Sequence, residues 1–308
     1  MRQYLPEGLR TEHEANVAAI SSVSGLLAAK EREEVLEARA VLCDAQHDLH
    51  VPLPCMDGII PRDEGALGIE EGEVRDIALL SRVGKPVCFT VREIVMREDG
   101  RPLAVLSRRR AQHLCKTEYL SRLRSGDIVT AKVTRLEGFG AFCDIGCGVA
   151  ALLPIACMSV SRITHPRDRV KVGDVLRCVV TSPEEGRICL SLRELLGTWE
   201  ENAALFTAGE TVLGTVRSVE PYGAFVELMP NLAGLAEPFD GARVGQTASV
   251  FIKSILPAKM KIKLVMIDTH DDVAAPMPLR YFYDGERVER WSYAPFGHPR
   301  FAQTTFGA

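Results

Sequence analysis

The chain has 308 residues, 46% of them apolar and 25% charged, a balance that folds. Its 37 Lys and Arg against 41 Asp and Glu give a net charge of −4, which excludes a uniformly basic nucleic-acid binder while leaving room for a local basic patch. No run approaches about 18 consecutive apolar residues, so no membrane span is expected.

No compact basic, apolar and cleavable pattern opens the chain, so a cytoplasmic protein is the expectation. The nine cysteines are odd in number and several sit in apolar, strand-like contexts, which reads as reduced and often buried thiols. Residues 12–33, rich in Ala, Glu and Leu, are expected to be helical, with Thr11 and Glu14 spaced as a capping box. Residues 35–108 read as short strands around an acidic insert at 63–76. A basic helical linker over 109–125 follows.

The chain then repeats itself. GDIVTAKVTRLEGFGAFCDIGCGVAALL at 126–153 aligns with GETVLGTVRSVEPYGAFVELMPNLAGLA at 209–236 at an offset of 83. The second halves align at an offset of 72, pairing Gly173 with Gly245, Arg187 with Lys259 and Leu192 with Leu264. A degenerate third copy lies upstream, where Ile59, Ile60 and Pro61 match Leu152, Leu153 and Pro154. Each copy reads as about five short strands with Gly-rich turns and no alternating helices, which favours a small barrel. The last strand alternates cleanly, with Met260, Ile262 and Leu264 on one face and Lys259, Lys261 and Lys263 on the other.

The segments are therefore 1–34, an N-terminal helical segment; 35–108, a degenerate barrel; 109–125, a basic linker; 126–193, a barrel; 194–208, a helical linker tolerating a kink at Gly197; 209–267, a barrel; and 268–308, an aromatic tail that packs on a neighbouring domain or is partly disordered. The fold class is all-β.

Rings beside cations on a small barrel suit single-stranded nucleic acid, because bases stack on the rings and cations contact phosphates. The middle copy offers Phe139 and Phe142 beside Arg135 and Arg187. The last offers Tyr222 and Phe225 beside Lys253, Lys259, Lys261 and Lys263. Period-two counting puts Phe142 on one face with Asp144, and a ring sharing a face with an aspartate is expected near solvent. The ordinary alternative makes Phe142 and Phe225 core residues. No phosphate loop, dinucleotide fingerprint or nucleophile elbow occurs, and Cys143 and Cys147 lack the further ligands that zinc requires. No catalytic group, metal or cofactor is therefore assigned.

With FGAF at 139–142, YGAF at 222–225, GRICLSLRE at 186–194 and VSRITHPRD at 160–168, the two clear copies resemble the RNA-binding domain named after bacterial ribosomal protein S1. The resemblance implies three tandem OB folds, binding of single-stranded RNA such as mRNA, and a link to the small ribosomal subunit and translation. Carried over by position, the family's surface would place aromatics at Phe139, Phe142, Tyr222 and Phe225, and its basic residue at Arg187 and Lys259. Pro154 and Glu237 would stand where the family has histidine, and Glu237 would repel phosphate. In the first copy Leu49 would stand where the aromatic belongs, with His47 near it, so that copy is expected to bind RNA poorly. A protein-interaction adaptor with weak RNA affinity is the alternative function.

Overall fold

The structure is a computed structural model that describes residues 4–183, 188–271, 279–299 and 302–307. The chain divides into two compact units. The first comprises 1–123 with 130–132 and 144–150; the second comprises the rest. Among the described residues no helix is long and apolar enough to cross a membrane.

In the first unit two short helices, α1 (Glu14–Ile20) and α2 (Val23–Glu31), precede a sheet of β1 (Leu36–Arg39), β2 (Leu42–Cys43), β3 (Leu49–His50), β4 (Asp57–Ile60), β5 (Pro86–Met96) and β6 (Pro102–Ser107). The strand order is β1-β5-β6-β4-β3-β2. The end strands β1 and β2 are consecutive in the chain, separated only by Ala40 and Val41, so the sheet curls back on itself into a half-open first barrel, where the repeat predicts a third complete one. Inward-pointing Leu36, Leu49, Ile60, Phe89 and Leu106 fill the curl, and Leu26 and Ala29 of α2 pack with them. The helix expected over 12–33 breaks at Ser21–Ser22, and Ser22 caps α2 by accepting from the Gly25 N–H. The Thr11–Glu14 capping box does not form. His13 is the N-cap of α1 without a side-chain bond, because the Thr11 hydroxyl donates instead to Glu37 at 2.8 Å. α3 (Ile77–Leu80) lies just past the acidic insert, and α4 (Arg108–Glu118) realises the basic linker, capped by Ser107.

A buried polar cluster joins the start of the chain to this unit. The Glu7 carboxylate accepts from Arg108 Nε at 2.7 Å and Arg82 Nη1 at 3.0 Å, and the Glu7 N–H donates to Asp144 at 2.7 Å. Asp144 also accepts from the N–H groups of Gly146 and Gly148 and is only 3% exposed. The expectation that Asp144 marks a wet face therefore fails, because the N-terminal segment covers it.

Two closed barrels follow in the chain. One consists of β7 (Ile128–Glu137), β8 (Gly140–Asp144), β9 (Ala150–Pro154), β10 (Val175–Ser182) and β11 (Cys189–Ser191); the other of β12 (Thr211–Glu220), β13 (Gly223–Met229), β14 (Leu232–Ala236), β15 (Thr247–Leu256) and β16 (Lys261–His270). These are OB folds in tandem. Between them, Gly197 takes φ +81° and stops one short helical turn, and a Thr198–Glu201 capping box starts α5 (Trp199–Ala203).

The tail forms β17 (Arg290–Ser292) and β18 (Gln303–Thr305), which pair antiparallel. Of the two open expectations for the tail, its described part follows packing. Val288, Trp291, Tyr293 and Phe306 enter one apolar core with Val179, Leu195, Trp199 and the interior of the last barrel. Arg287 pairs with Asp127 at 2.8 Å. Asn231, fully buried, accepts from the Val160 N–H and donates to the carbonyls of Arg193 and Gly197, while its own carbonyl accepts from the Tyr293 hydroxyl. Buried Glu227 accepts from both Arg169 and Arg217.

Strand registers also correct the repeat alignment. Leu190 lies opposite Val180, and Leu264 opposite Ile252, each beside a bulge. Leu264 therefore takes the place of Leu190, not Leu192, and the last strands match at an offset of 74. The extra two residues are absorbed in the turn before β16, where Met260 adopts a left-handed conformation.

Candidate nucleic-acid interface

Outward positions of a barrel form rows that cross neighbouring strands, and registers show which side chains share one. In the last barrel one row runs Ser218, Phe225, Leu235, Lys263 and Ser254, each paired with the next. Tyr222, in the turn before β13, is 62% exposed and meets Phe225 edge-on, with ring centroids 6.5 Å apart and planes at 89°. Phe225 is half-buried. The turn requires Gly223: it takes φ +144°, and a Cβ there would collide with the Ala236 carbonyl. The two rings thus present faces at right angles, with a lysine two strands away.

The middle barrel repeats this with its cation moved. Phe139 is 58% exposed and stands edge-on to half-buried Phe142, with centroids 6.0 Å apart and planes at 88°. The Arg135 guanidinium lies over the Phe142 ring, 4.7 Å from its centroid, and also pairs with Glu137 at 3.1 Å. Gly140 lets β8 approach β9, since a Cβ would fall 2.5 Å from the Leu153 carbonyl oxygen. Leu152 pairs with Cys189, and Cys189 with Ser182. Cys189 therefore stands where the last barrel has Lys263, and the positive charge comes from the first strand instead of the fifth.

Of the expected site residues, the structure brings together Arg135, Phe139 and Phe142 in one barrel, and Tyr222, Phe225 and Lys263 in the other. Lys253 is exposed but committed, donating to Glu237 at 2.9 Å. That bond, with the positive charges of Lys253 and Lys263, holds the Glu237 carboxyl below its ordinary range. Glu237 is thus a neutralised carboxylate, not an isolated repulsive one. Lys261 pairs with Leu256 and Lys259 lies in the turn, so both sit toward the β15–β16 end, beyond the ring row. Arg187 lies outside the described residues. The corrected offset places Lys261, not Lys259, in its position.

The first barrel shows a further correction. Leu49 is fully buried, and His50 occupies the outward position matching Phe225, because it pairs with Leu42 on one side and Ile59 on the other. Sequence spacing missed this because the turn at Asp44–Asp48 shortens the hairpin. His50 Nε2 and Asp44 Oδ2 lie 2.9 Å apart.

Residues 122–193 match the family model of the S1 RNA binding domain. That stretch of the chain is an S1 RNA-binding domain by its family match. Among curated relatives, the small ribosomal subunit protein bS1 of Leuconostoc lactis is 34% identical over 192 residues, covering 56% of this chain and 44% of that protein. The bS1 homolog of Bacillus subtilis (strain 168) is 33% identical over 165 residues, covering 49% and 43%. The chain therefore spans less than half the length of those two relatives. A 4-hydroxy-3-methylbut-2-enyl diphosphate reductase of Clostridium acetobutylicum is 32% identical over 158 residues, but only 24% of that protein is covered, too little to bear on its chemistry. A solved multidomain protein with nucleic acid binding domains from Streptococcus pneumoniae aligns over 76% of this chain and 73% of its own at 13% identity and a TM-score of 0.25.

Proposed function

We propose that this protein binds single-stranded RNA without catalysis, on the ring rows of its middle and last barrels, and that it acts in translation in the cytoplasm as the bS1 relatives' names suggest. The observation that carries this reading is the repeated pair of edge-on aromatics, Phe139–Phe142 with Arg135 over the ring and Tyr222–Phe225 with Lys263 in the same row two strands away. Stacking on such pairs is tolerant of base identity, since every base has a π face. The cations add a salt-dependent term through phosphate. An mRNA as the natural strand and the small ribosomal subunit as the setting are the finer parts of this proposal.

The test uses the full chain and a fluorescently labelled single-stranded RNA, titrated across a salt series, with a duplex of the same sequence as control. Saturable binding of the single strand, weakened by salt and not matched by the duplex, is the expected result. Equal affinity for both forms would refute a stacking platform. Co-sedimentation with small ribosomal subunits tests the setting separately.

A further inference from the structure

The row of the first barrel that corresponds to the ring row carries different chemistry. Leu42, His50, Ile59, Val105 and Glu93 are linked by successive register pairs. Compared with Ser218, Phe225, Leu235, Lys263 and Ser254, an aliphatic replaces the lysine and a carboxylate replaces a serine. The adjacent row shows the same replacement. Asp57 pairs with Leu103, and Leu103 with Val95, where the last barrel has Ala233, Lys261 and Leu256. Both outward lysines of β16 thus correspond to aliphatic residues of β6.

These side chains point away from the core: their neighbours Gly58, Ile60, Ala104 and Leu106 are the inward ones. Leu42 is 51% exposed, and Ile59, Val95, Leu103 and Val105 are half-exposed. Ile59, Leu103, Val105 and Val95 form a contiguous aliphatic strip across three neighbouring strands, β4, β6 and β5, with Leu42 beyond His50 on β2. Glu93 is exposed at its edge and has no ion-pair partner among the described residues, whereas Asp57 is held by Arg97 at 3.2 Å. The surrounding segment 35–108 carries 13 acidic and 9 basic residues. Such a face offers RNA one imidazole, held by Asp44, in place of a ring pair, and no lysine in its strip, and its free carboxylate would repel the backbone.

We propose that this face of the first barrel docks a protein segment that presents aliphatic side chains next to lysine or arginine. The aliphatic strip takes up the apolar side chains, and Glu93 selects the basic neighbour over an acidic one. Apolar contact supplies the affinity and the charge supplies discrimination, as at other mixed interfaces. One outward surface would then recognise protein in the first repeat and nucleic acid in the other two.

The experiment titrates the full chain with a fluorescein-labelled peptide of alternating leucine and lysine, and with its counterpart carrying glutamate for lysine. Saturable binding of the lysine peptide alone is expected. Glu93→Lys and Val105→Thr should each weaken it about tenfold, with affinity for a labelled single-stranded RNA unchanged. Both substitutions lie at outward strand positions, and thermal melts check that each variant folds. Phe225→Ala should do the reverse, which keeps a failure of this docking face separate from a failure of the RNA reading. No saturable peptide binding, equal binding of the glutamate peptide, or indifference to both substitutions would overturn the proposal. Loss of RNA affinity in the same variants would assign the face to nucleic acid instead.

Discussion

Truncating Phe142 separates a binding ring from a packing ring. The side chain is half-buried, with Phe139 edge-on at 6.0 Å and the Arg135 guanidinium 4.7 Å from its centroid. A fully buried phenylalanine costs about 3–5 kcal/mol of stability when cut to alanine. Half burial leaves roughly half of that, about 2 kcal/mol, and an exposed cation–π contact accounts for about 0.5–1 kcal/mol of it. Losing one stacked base costs about 1–3 kcal/mol of binding, or about 5- to 150-fold in affinity. Phe142→Ala should therefore lower RNA affinity by that factor in anisotropy titrations at a temperature where both proteins are fully folded. Arg135→Ala should lose less affinity and most of its loss should vanish at high salt. An affinity unchanged at equal folded fraction, or a stability loss in the fully buried range, would refute the platform and return Phe142 to the core.

Four further outcomes follow from the geometry. Lys263→Ala should reduce the slope of log affinity against log salt by about 0.7, and Lys259→Ala should leave it nearly unchanged; equal effects would mean that the RNA track extends to the β15–β16 turn. Glu227→Gln strands Arg169 and Arg217, of which Arg169 is deeply buried, and should cost about 3–5 kcal/mol in denaturant unfolding; a cost below about 1 kcal/mol would show that water reaches the pair. Gly223→Ala, which forces a Cβ against the Ala236 carbonyl at φ +144°, should destabilise by more than about 1 kcal/mol in the same assay, and a neutral result would mean that the turn relaxes. Burial and the nearby Glu7 charge push the Asp144 carboxyl up to about 7, against its N–H donors and Arg108. The folded chain then holds a proton that the unfolded chain has released between the ordinary aspartate value of 3.8 and about 7, so this group's contribution to stability falls as pH rises across that window and levels above it. Melting temperatures against pH should show that limb flattened in Asp144→Asn, and an unchanged slope would sink the assignment.

The barrels were legible because glycines and alternating apolar residues mark short strands, and because two copies repeat the marks. The strands from Ile128 and Thr211 begin two residues after the first glycine of their copies, and those from Gly140 and Gly223 begin on the glycine inside FGAF and YGAF. What failed was counting through irregular turns. The loop around Met260 hides two residues, so Lys259 seemed to match Arg187, and the tight Asp44–Asp48 turn made Leu49 seem to hold the ring position that His50 occupies. Burial by distant segments was equally invisible. Asp144 reads as a surface residue until the backbone of Glu7 is found donating to it, 137 positions earlier in the chain. Glu237 reads as repulsive until Lys253 is found across the sheet. The tail offered only aromatics without a period, since its partners lie scattered over two barrels.

The bond between Asp127 and Arg287 joins residues 160 positions apart, and the neighbouring Val288 N–H donates to the Gly126 carbonyl. The opening of the middle barrel is thus tied to chain that a ribosome makes much later. At about 5–20 residues per second, the interval is about 8–30 s. During it, Val179 and Leu195 lack the indole of Trp291 and the rings of Tyr293 and Phe306 that finally share their core. A nascent chain should therefore pass through a prolonged stage with this apolar surface uncovered. Contacts of such separation also form slowly once the chain is whole. Refolding from denaturant should accordingly end in a late phase, reported by burial of Trp291, after the barrels have gained their strands.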